Sequence, residues 1–200
     1  MNIFSQIYRL LTNSLMDIPR KDLVFLLGFM ATGKSTYGKS VAKRLGWRFI
    51  DLDTQIERDS GKSIPDIFSQ LGEAEFRKIE RQMLEQEVSH SEVPTILSCG
   101  GGTPCYGDNM EWMNSQGFTL YIQTPYPILL GRLKEMRADR PMLNKYSEEE
   151  LPIFIQDLLE RRVPYYLQSN MVFQTANMSK EAVSRSIAEK ISSRTSNLWK

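Results

Sequence analysis

The chain has 200 residues, of which 41% are hydrophobic and 24% are charged, and its formal net charge is +1 at pH 7. This composition is typical of a globular protein with a buried core, and it argues against wholesale disorder. A nucleic-acid-binding surface usually shows as a basic excess, so the near-neutral charge disfavours nucleic acid as a partner.

The first predicted element is an N-terminal extension, residues 1–21. Ile3, Ile7, Leu10 and Leu11 fall near helical spacing, and the polar residues between them interrupt any signal-peptide core. No apolar run in the chain approaches the roughly 20 residues that a membrane-spanning helix requires. We therefore expect a short amphipathic segment that packs on the domain, no membrane partner, and a cytoplasmic protein.

Five short runs rich in apolar residues predict strands. The first, residues 23–27, is wholly apolar, as expected of a strand that is buried on both faces of a sheet. The others are predicted at residues 49–53, 95–99, 118–123 and 171–174. Cys99 and Cys105 are the two cysteines of the chain, too few for a disulfide framework or a set of metal ligands. We interpret both as reduced thiols, with Cys99 a small core residue.

Helical spacing of apolar residues separates these strands. It predicts helices at residues 34–45, 76–88, 127–136, 151–166 and 180–191, the first stopped by Gly46 and the last preceded by Ser179 as N-cap. Alternating strands and helices indicate right-handed crossovers and a parallel sheet covered on both faces. The predicted fold is α/β, a three-layer α/β/α sandwich with a five-stranded parallel sheet, formed as one domain by residues 22–200. Ligands of such sheets bind beyond the carboxyl ends of the strands.

A phosphate-binding motif follows the first strand. The segment Gly28-Phe29-Met30-Ala31-Thr32-Gly33-Lys34-Ser35 matches the P-loop pattern G-x-x-x-x-G-K-[ST] in full, between an apolar strand and an amphipathic helix as the mechanism requires. Backbone amides and a helix N-terminus surround the anion, Lys34 bridges the β- and γ-phosphates, and the Ser35 hydroxyl can ligate Mg²⁺. The residues assigned to the nucleotide are Ala31, Thr32, Gly33, Lys34, Ser35 and Thr36.

Further motifs lie at strand ends or in the second half of the chain. They are Asp51-Leu52-Asp53, Gly72-Glu73-Ala74-Glu75-Phe76-Arg77-Lys78-Ile79-Glu80, Gly100-Gly101-Gly102, Arg140-Pro141-Met142-Leu143 and Arg162-Val163-Pro164-Tyr165-Tyr166. In order and spacing they resemble D-x-D, G-E-x-x-F-R-x-x-E, G-G-G, R-P-L-L and R-x-P-x-Y of the shikimate kinase family. The resemblance extends over residues 22–191 and implies a P-loop NTPase fold with a mobile lid at about residues 137–150.

The resemblance also implies an activity: transfer of the γ-phosphoryl group of ATP to the 3-hydroxyl of shikimate, with Mg²⁺, giving 3-phosphoshikimate and ADP in the biosynthesis of aromatic amino acids. Its partners would be ATP and shikimate. We expect the protein to be a monomer. Asp51 would lie near the Mg²⁺ shell through water, beside Ser35. Asp53 would orient or deprotonate the acceptor hydroxyl, and Arg140 would fold over the phosphates, so that these two and Lys34 are the catalytic candidates.

Acceptor binding is implied for Arg77, Gly101 and Arg162, together with Asp53. An arginine clamps a carboxylate with two parallel hydrogen bonds, which lysine cannot do, and this suits Arg77 and Arg162 to the shikimate carboxylate. Glycine backbone can approach a small ligand closely, which suits Gly101.

Several alternatives remain open from the residues alone. Asp53 or Thr54 could cap a helix, and Arg77 could simply pair with Glu73 one turn away. Adenine could contact Arg132 or Arg137, or the loop at 176–177. The acceptor could be gluconate or a nucleoside monophosphate, and a nucleotide-gated binding protein without catalysis is a third possibility.

One residue of the P-loop departs from the family pattern. Ala31 stands where the family commonly has the middle glycine of Gly-x-Met-Gly-x-Gly-Lys. Alanine adds one methyl group and fits most turn angles, so we expect activity to survive. If the position demands positive φ, a cost of about 1 kcal/mol is expected.

Overall fold

A five-stranded parallel sheet forms the centre of the molecule. The structure is a computed structural model that describes residues 20, 22–137 and 141–196. The strands are β1 (Leu23–Leu27), β2 (Arg48–Asp51), β3 (Thr95–Ser98), β4 (Phe118–Gln123) and β5 (Met171–Gln174). Their order is β2-β3-β1-β4-β5, with every neighbouring pair parallel. All five predicted strands are confirmed, and two of them end earlier than predicted, at Asp51 and Ser98.

Helices cover the sheet. They are α1 (Lys34–Leu45), α2 (Leu52–Ser60), α3 (Ile64–Ser89), α4 (Asn109–Gln116), α5 (Tyr126–Glu135), α6 (Pro141–Asn144), α7 (Glu150–Tyr166) and α8 (Lys180–Ser196), with a short 3₁₀ helix at Thr103–Cys105. The five predicted helices are confirmed, the first with its predicted bounds and the other four with shifted ends. Gly46 caps α1 in a left-handed conformation, and the Ser179 hydroxyl accepts a hydrogen bond from the Ala182 amide, 3.2 Å away.

Two cores lie on opposite faces of the sheet, which confirms the three-layer sandwich. Strand β1 is completely buried, and its alternate side chains enter different cores. Phe25 packs with α2, α3 and α4 on one face, whereas Leu26 packs with α1 and α8 on the other. Each such side chain contributes about 1.5–3 kcal/mol when fully buried, so the apolar run that precedes the P-loop anchors it firmly.

The site lies where the chain changes direction across the sheet. From β1 the chain passes to β2 and β3 on one side, and then crosses to β4 and β5 on the other. Crevices form at such a reversal, beyond the carboxyl ends of the strands. Residues 28–33 follow β1, and the glycines at 100–102 come one residue after β3.

A third apolar cluster lies beneath α5, α6 and α7, near the carboxyl end of β4. Its fully buried members include Phe29, Leu143 and Tyr166. Leu143 belongs to the predicted lid, residues 137–150, so part of that segment is packed against the body of the protein. Within the same segment, Tyr146 stacks on Phe154 of α7 with ring centroids 4.1 Å apart. The mobility of the lid stays a prediction.

The predicted extension, residues 1–21, lies outside the described residues except for Arg20, which donates hydrogen bonds to Asp22 and to the backbone carbonyl of Ser91. Its separation from a single domain that starts at residue 22 stays a prediction. Among the residues that the structure describes, no helix is both long and apolar enough to span a bilayer.

Candidate nucleotide and acceptor site

The P-loop forms one wall of a cavity of about 540 Å³ at the carboxyl edge of the sheet. Gly28 has φ +145°, and a Cβ there would lie 2.8 Å from the Ile122 carbonyl oxygen, so only glycine fits. The Lys34 ammonium donates to the carbonyls of Gly28 at 2.8 Å and Phe29 at 2.9 Å. These contacts hold the lysine at the cavity, beside the first amides of α1, which have no carbonyl partner within the helix.

Ala31 adopts a left-handed conformation, with φ +62°. It is the third residue of a turn that the Thr32 amide closes on the Phe29 carbonyl at 3.4 Å. A turn with positive φ at this position normally takes glycine or asparagine. The cost that was predicted for a position with positive φ therefore applies: alanine is about 1 kcal/mol less favourable here than glycine.

Ser35 and Asp51 meet across the floor of the cavity. The Ser35 hydroxyl donates to Asp51 Oδ2 at 2.5 Å. Asp51 also caps α2, because its Oδ1 accepts a hydrogen bond from the Thr54 amide at 3.4 Å. Capping by Asp53 or Thr54 was an alternative that the sequence left open, and the cap is instead Asp51, since the helix begins at Leu52.

The sequence predicted that Asp53 lies on a strand, but the residue lies in the first turn of α2. The chain turns into a helix directly after Asp51, so the two carboxylates reach the cavity from different elements. Burial, together with the negative charges of Asp51 and Glu80 and against the opposing charge of Lys34, raises the pKa of Asp53 to about 6. Asp53 therefore titrates close to neutral pH, as a proton acceptor in catalysis requires.

Hard oxygen ligands at Ser35 and Asp51 fit Mg²⁺, which binds proteins through one or two carboxylates and completes its shell with water and phosphate oxygens. Nowhere in residues 22–137 and 141–196 do three acidic, histidine or cysteine side chains form a cage for a metal. A cation held mainly by a nucleotide does not need such a cage. The donor set therefore fits Mg²⁺ bound together with ATP.

The triple-glycine segment forms another wall of the cavity, next to the P-loop, and Arg77 lies directly against it. A Cβ on Gly102 would lie 2.3 Å from Arg77 Nη2, so a side chain there would displace the guanidinium. The guanidinium donates to Glu80 at 2.8 Å and to Glu73 at 3.1 Å. Glu80 is 1% exposed and also accepts from the Thr103 hydroxyl at 2.6 Å. Although burial opposes it, Glu80 raises the pKa of Arg77, which stays charged.

Arg162 approaches the same segment from α7. Its Nη1 lies 3.2 Å from the position that a Cβ on Gly101 would take, and its guanidinium lies over the Phe29 ring at 5.6 Å. Tyr166, one turn further along α7, donates from its hydroxyl to the Gly101 carbonyl at 2.5 Å and is fully buried. Tyr166 ends the motif that begins at Arg162, but no role was predicted for it. Its four-residue spacing from Arg162, which places both on one face of α7, was the available signal.

Most of the predicted site residues are therefore brought together. The cavity is lined by Ala31, Gly33, Lys34, Ser35, Thr36, Asp51, Asp53 and Gly101, with Arg77 and Arg162 behind the glycines. Thr32 is 1% exposed and turns its hydroxyl away, to the Phe29 carbonyl at 2.9 Å. Arg140 lies outside the described residues.

Of the two arginines considered for adenine, Arg132 lines the cavity, whereas Arg137 donates to Glu148 and to the Tyr146 carbonyl within the predicted lid. The cavity is also lined by Glu135, Met136 and Lys180, which the sequence analysis did not single out. The loop at 176–177 does not line the cavity, and its residue Asn177 has φ +58°. The adenine contacts stay a prediction.

Comparison with known proteins identifies the family. A family model described as "Shikimate kinase" matches residues 30–192. The chain belongs to the shikimate kinase family. A shikimate kinase from Parabacteroides distasonis is 43% identical to it over 159 residues, which are 80% of this chain and 91% of that protein.

Solved shikimate kinases share the fold. The crystal structure of the enzyme from Bacteroides thetaiotaomicron superposes with a TM-score of 0.79 and 36% identity, covering 85% of this chain and 98% of that one. The shikimate kinase from Acinetobacter baumannii in complex with shikimate has a TM-score of 0.75 and 31% identity, covering 94% and 99%. The resemblance inferred from the motifs is thereby confirmed.

Proposed function

We propose that this protein is a Mg²⁺-dependent shikimate kinase that transfers the γ-phosphoryl group of ATP to the 3-hydroxyl of shikimate. One observation carries the proposal beyond family membership. The phosphate-binding P-loop, a segment flanked by two guanidinium groups, and Asp53 line the same cavity. Such a cavity fits a polyanionic donor at one end and a small hydroxylated carboxylate at the other.

The P-loop end would bind the triphosphate. Lys34 and the first amides of α1 would contact the β- and γ-phosphates, in place of the carbonyls that Lys34 contacts in the structure. Ser35 and Asp51 would hold Mg²⁺, Asp51 through water. When bound, the cation offsets negative charge on the phosphate oxygens.

Asp53 would act on the acceptor. Its carboxylate would accept a hydrogen bond from the 3-hydroxyl and take the proton as the oxygen bonds to the γ-phosphorus and the bond to the β–γ bridging oxygen breaks. A pKa of about 6 keeps the carboxylate ionised at neutral pH, yet makes it a better base than an exposed aspartate. The role assigned to Asp53 from the sequence is kept, although the residue lies on a helix.

Arg77 and Arg162 would bind the shikimate carboxylate. They lie against adjacent glycines of one segment, Arg162 at Gly101 and Arg77 at Gly102, so both guanidinium groups are close to the same part of the cavity wall. Arg77 is buried and Arg162 is half-buried, so water screens their interaction with a carboxylate less than it would at an exposed surface. A second arginine adds orientation, which presents a single ring hydroxyl to Asp53.

Arg140 would complete the phosphate end. The sequence places it one residue before α6, and in the lid segment that follows Tyr146 stacks on Phe154 of α7. A guanidinium over the γ-phosphate would offset the charge that develops on the bridging oxygen as the bond breaks. Closure of the lid would exclude water and so limit hydrolysis of ATP.

A coupled assay of ADP release tests the proposal. Purified protein with Mg²⁺ and ATP receives shikimate, gluconate or a nucleoside monophosphate in separate reactions, and the phosphorylated product is identified by mass spectrometry. We expect turnover with shikimate at least 100-fold above that with the other acceptors. Preference for another acceptor would refute the assignment, and nucleotide binding without turnover would indicate a binding protein. The monomeric state and the cytoplasmic location stay predictions from the sequence.

A further inference from the structure

The left-handed alanine of the P-loop has a charged partner. Arg132 of α5 donates from Nη1 to the Ala31 carbonyl at 3.0 Å, and its distance to the Thr32 carbonyl is 3.5 Å. The side chain is half-buried and lines the cavity. The contact joins residues 101 positions apart in the chain and links the P-loop to the helix that leads towards the lid.

The peptide group between Ala31 and Thr32 is thus held at both ends. Its N–H closes the turn on the Phe29 carbonyl at 3.4 Å, which is long for a hydrogen bond, whereas its carbonyl accepts from a guanidinium at 3.0 Å. A charge-assisted hydrogen bond is about twice as strong as a neutral one. The guanidinium is therefore the stronger of the two restraints on this peptide.

The restraint matters because the turn is unfavourable for its sequence. An L-residue with a Cβ disfavours positive φ, so Ala31 pulls the turn towards other conformations that glycine would not favour to the same extent. A different angle at Ala31 would reorient the peptides that follow, including the amides at the start of α1 that form the anion site. A P-loop that has alanine at this position therefore depends more on a contact from outside the loop to keep its conformation than a P-loop that has glycine there.

We propose that Arg132 is a positioning residue that holds the P-loop in its nucleotide-binding conformation, and that this chain requires it because residue 31 is alanine. The inference rests on the proposed function only in taking the cavity as a nucleotide site, since it makes no use of the acceptor. It differs from a direct contact between Arg132 and the adenine base, because such a contact would be indifferent to the residue at position 31.

A double-mutant cycle separates the two roles. The chain, Arg132→Met, Ala31→Gly and the double variant are titrated with Mg²⁺–ADP by calorimetry, and the KM for ATP is measured in parallel. Methionine keeps the aliphatic stem of arginine and removes its donors. We expect Arg132→Met to weaken ADP binding about tenfold beside alanine, as for loss of one charge-assisted hydrogen bond, and about twofold or less beside glycine. Ala31→Gly therefore rescues Arg132→Met.

Two controls make the cycle decisive. Arg161→Met removes an exposed arginine of α7 that pairs with Asp157, and it should leave ADP affinity unchanged in both backgrounds. Arg132→Lys keeps one cationic donor and should retain most of the affinity. Equal losses from Arg132→Met beside alanine and beside glycine would overturn the proposal, even if the losses are large. ADP titration needs no acceptor, so a failure of shikimate turnover would count against the proposed function alone.

Discussion

Asp53→Asn should stabilise the protein near neutral pH while abolishing turnover. Burial raises the pKa of this carboxyl from 3.8 to about 6, with Asp51 and Glu80 adding to the effect, so its ionised form is disfavoured in the folded state. A shift of about two pKa units corresponds to roughly 3 kcal/mol between the protonated and ionised forms. Asparagine is similar in shape and carries no charge, so it avoids this penalty. In the proposed mechanism, this same penalty gives Asp53 the raised pKa that suits a proton acceptor.

The sign of the pH dependence follows from linkage. The folded pKa lies above the unfolded one, so stabilisation by the protonated carboxyl is fully present below pH 3.8 and is lost as the pH rises through about 6. Relative to Asp53→Asn, the parent should therefore lose about 1.4 kcal/mol of stability between pH 5 and pH 8. Carboxylates remote from Asp53 titrate equally in both proteins, so their contributions cancel in the difference.

Urea denaturation at several pH values measures this difference. The free energies of unfolding of the parent and of Asp53→Asn are compared from pH 5 to pH 8 without nucleotide, because Mg²⁺ near Asp51 would favour the ionised form. Asp59→Asn is a matched control on the exposed side of α2. A difference between parent and Asp53→Asn that is constant over this range, or that changes in the opposite direction, would refute the burial argument. Full turnover by Asp53→Asn would remove Asp53 from the mechanism.

Three further substitutions test separate parts of the site. Lys34→Ala should lower kcat at least 1,000-fold, as for loss of a phosphate-bound cation, and retained turnover would reject the P-loop assignment. Arg77→Lys should raise the KM for shikimate about tenfold or more and leave the KM for ATP within about twofold, because a lysine ammonium cannot form two parallel hydrogen bonds to a carboxylate. Equal rises in the two KM values would contradict the clamp. Tyr166→Phe removes the donor to the Gly101 carbonyl and should raise the KM for shikimate about tenfold. Its control is Tyr121→Phe, which should change neither KM; equal effects of the two would exclude a role for the Tyr166 hydroxyl.

The fold could be predicted where apolar periodicity was strong. The first strand is buried on both faces and reads as an uninterrupted apolar run, and β4 and β5 were predicted with the bounds that the structure has. Helix α2 was missed because it follows β2 without a loop, so Asp51 and Asp53 were assigned to one strand. Helix α4 was missed because its apolar residues, chiefly Met110 and Met113, are too few to give a clear period.

The site could be predicted where a motif has one geometric solution. A P-loop requires a strand, a turn and a helix, so the positions of Lys34 and Ser35 followed from the pattern. Interactions across long stretches of chain leave no local pattern. The contact of Arg132 with Ala31 and that of Tyr166 with Gly101 depend on how α5 and α7 pack over the sheet edge. The positive φ of Ala31 could only be stated as a condition, since alanine itself predicts the opposite.

The two readings of Arg77, an ion pair or a substrate clamp, are compatible because its two acidic partners differ in burial. The Glu80 side chain is 1% exposed and is also bound to Thr103, whereas the Glu73 side chain is 69% exposed. Removing a partner from a buried pair costs about 3–5 kcal/mol, whereas an exposed ion pair is worth about 0–1 kcal/mol. An incoming carboxylate can therefore replace Glu73 at little cost while Glu80 keeps holding the guanidinium. Glu73→Gln should accordingly preserve shikimate binding, whereas Glu80→Gln should weaken it by releasing Arg77 from the triple-glycine wall.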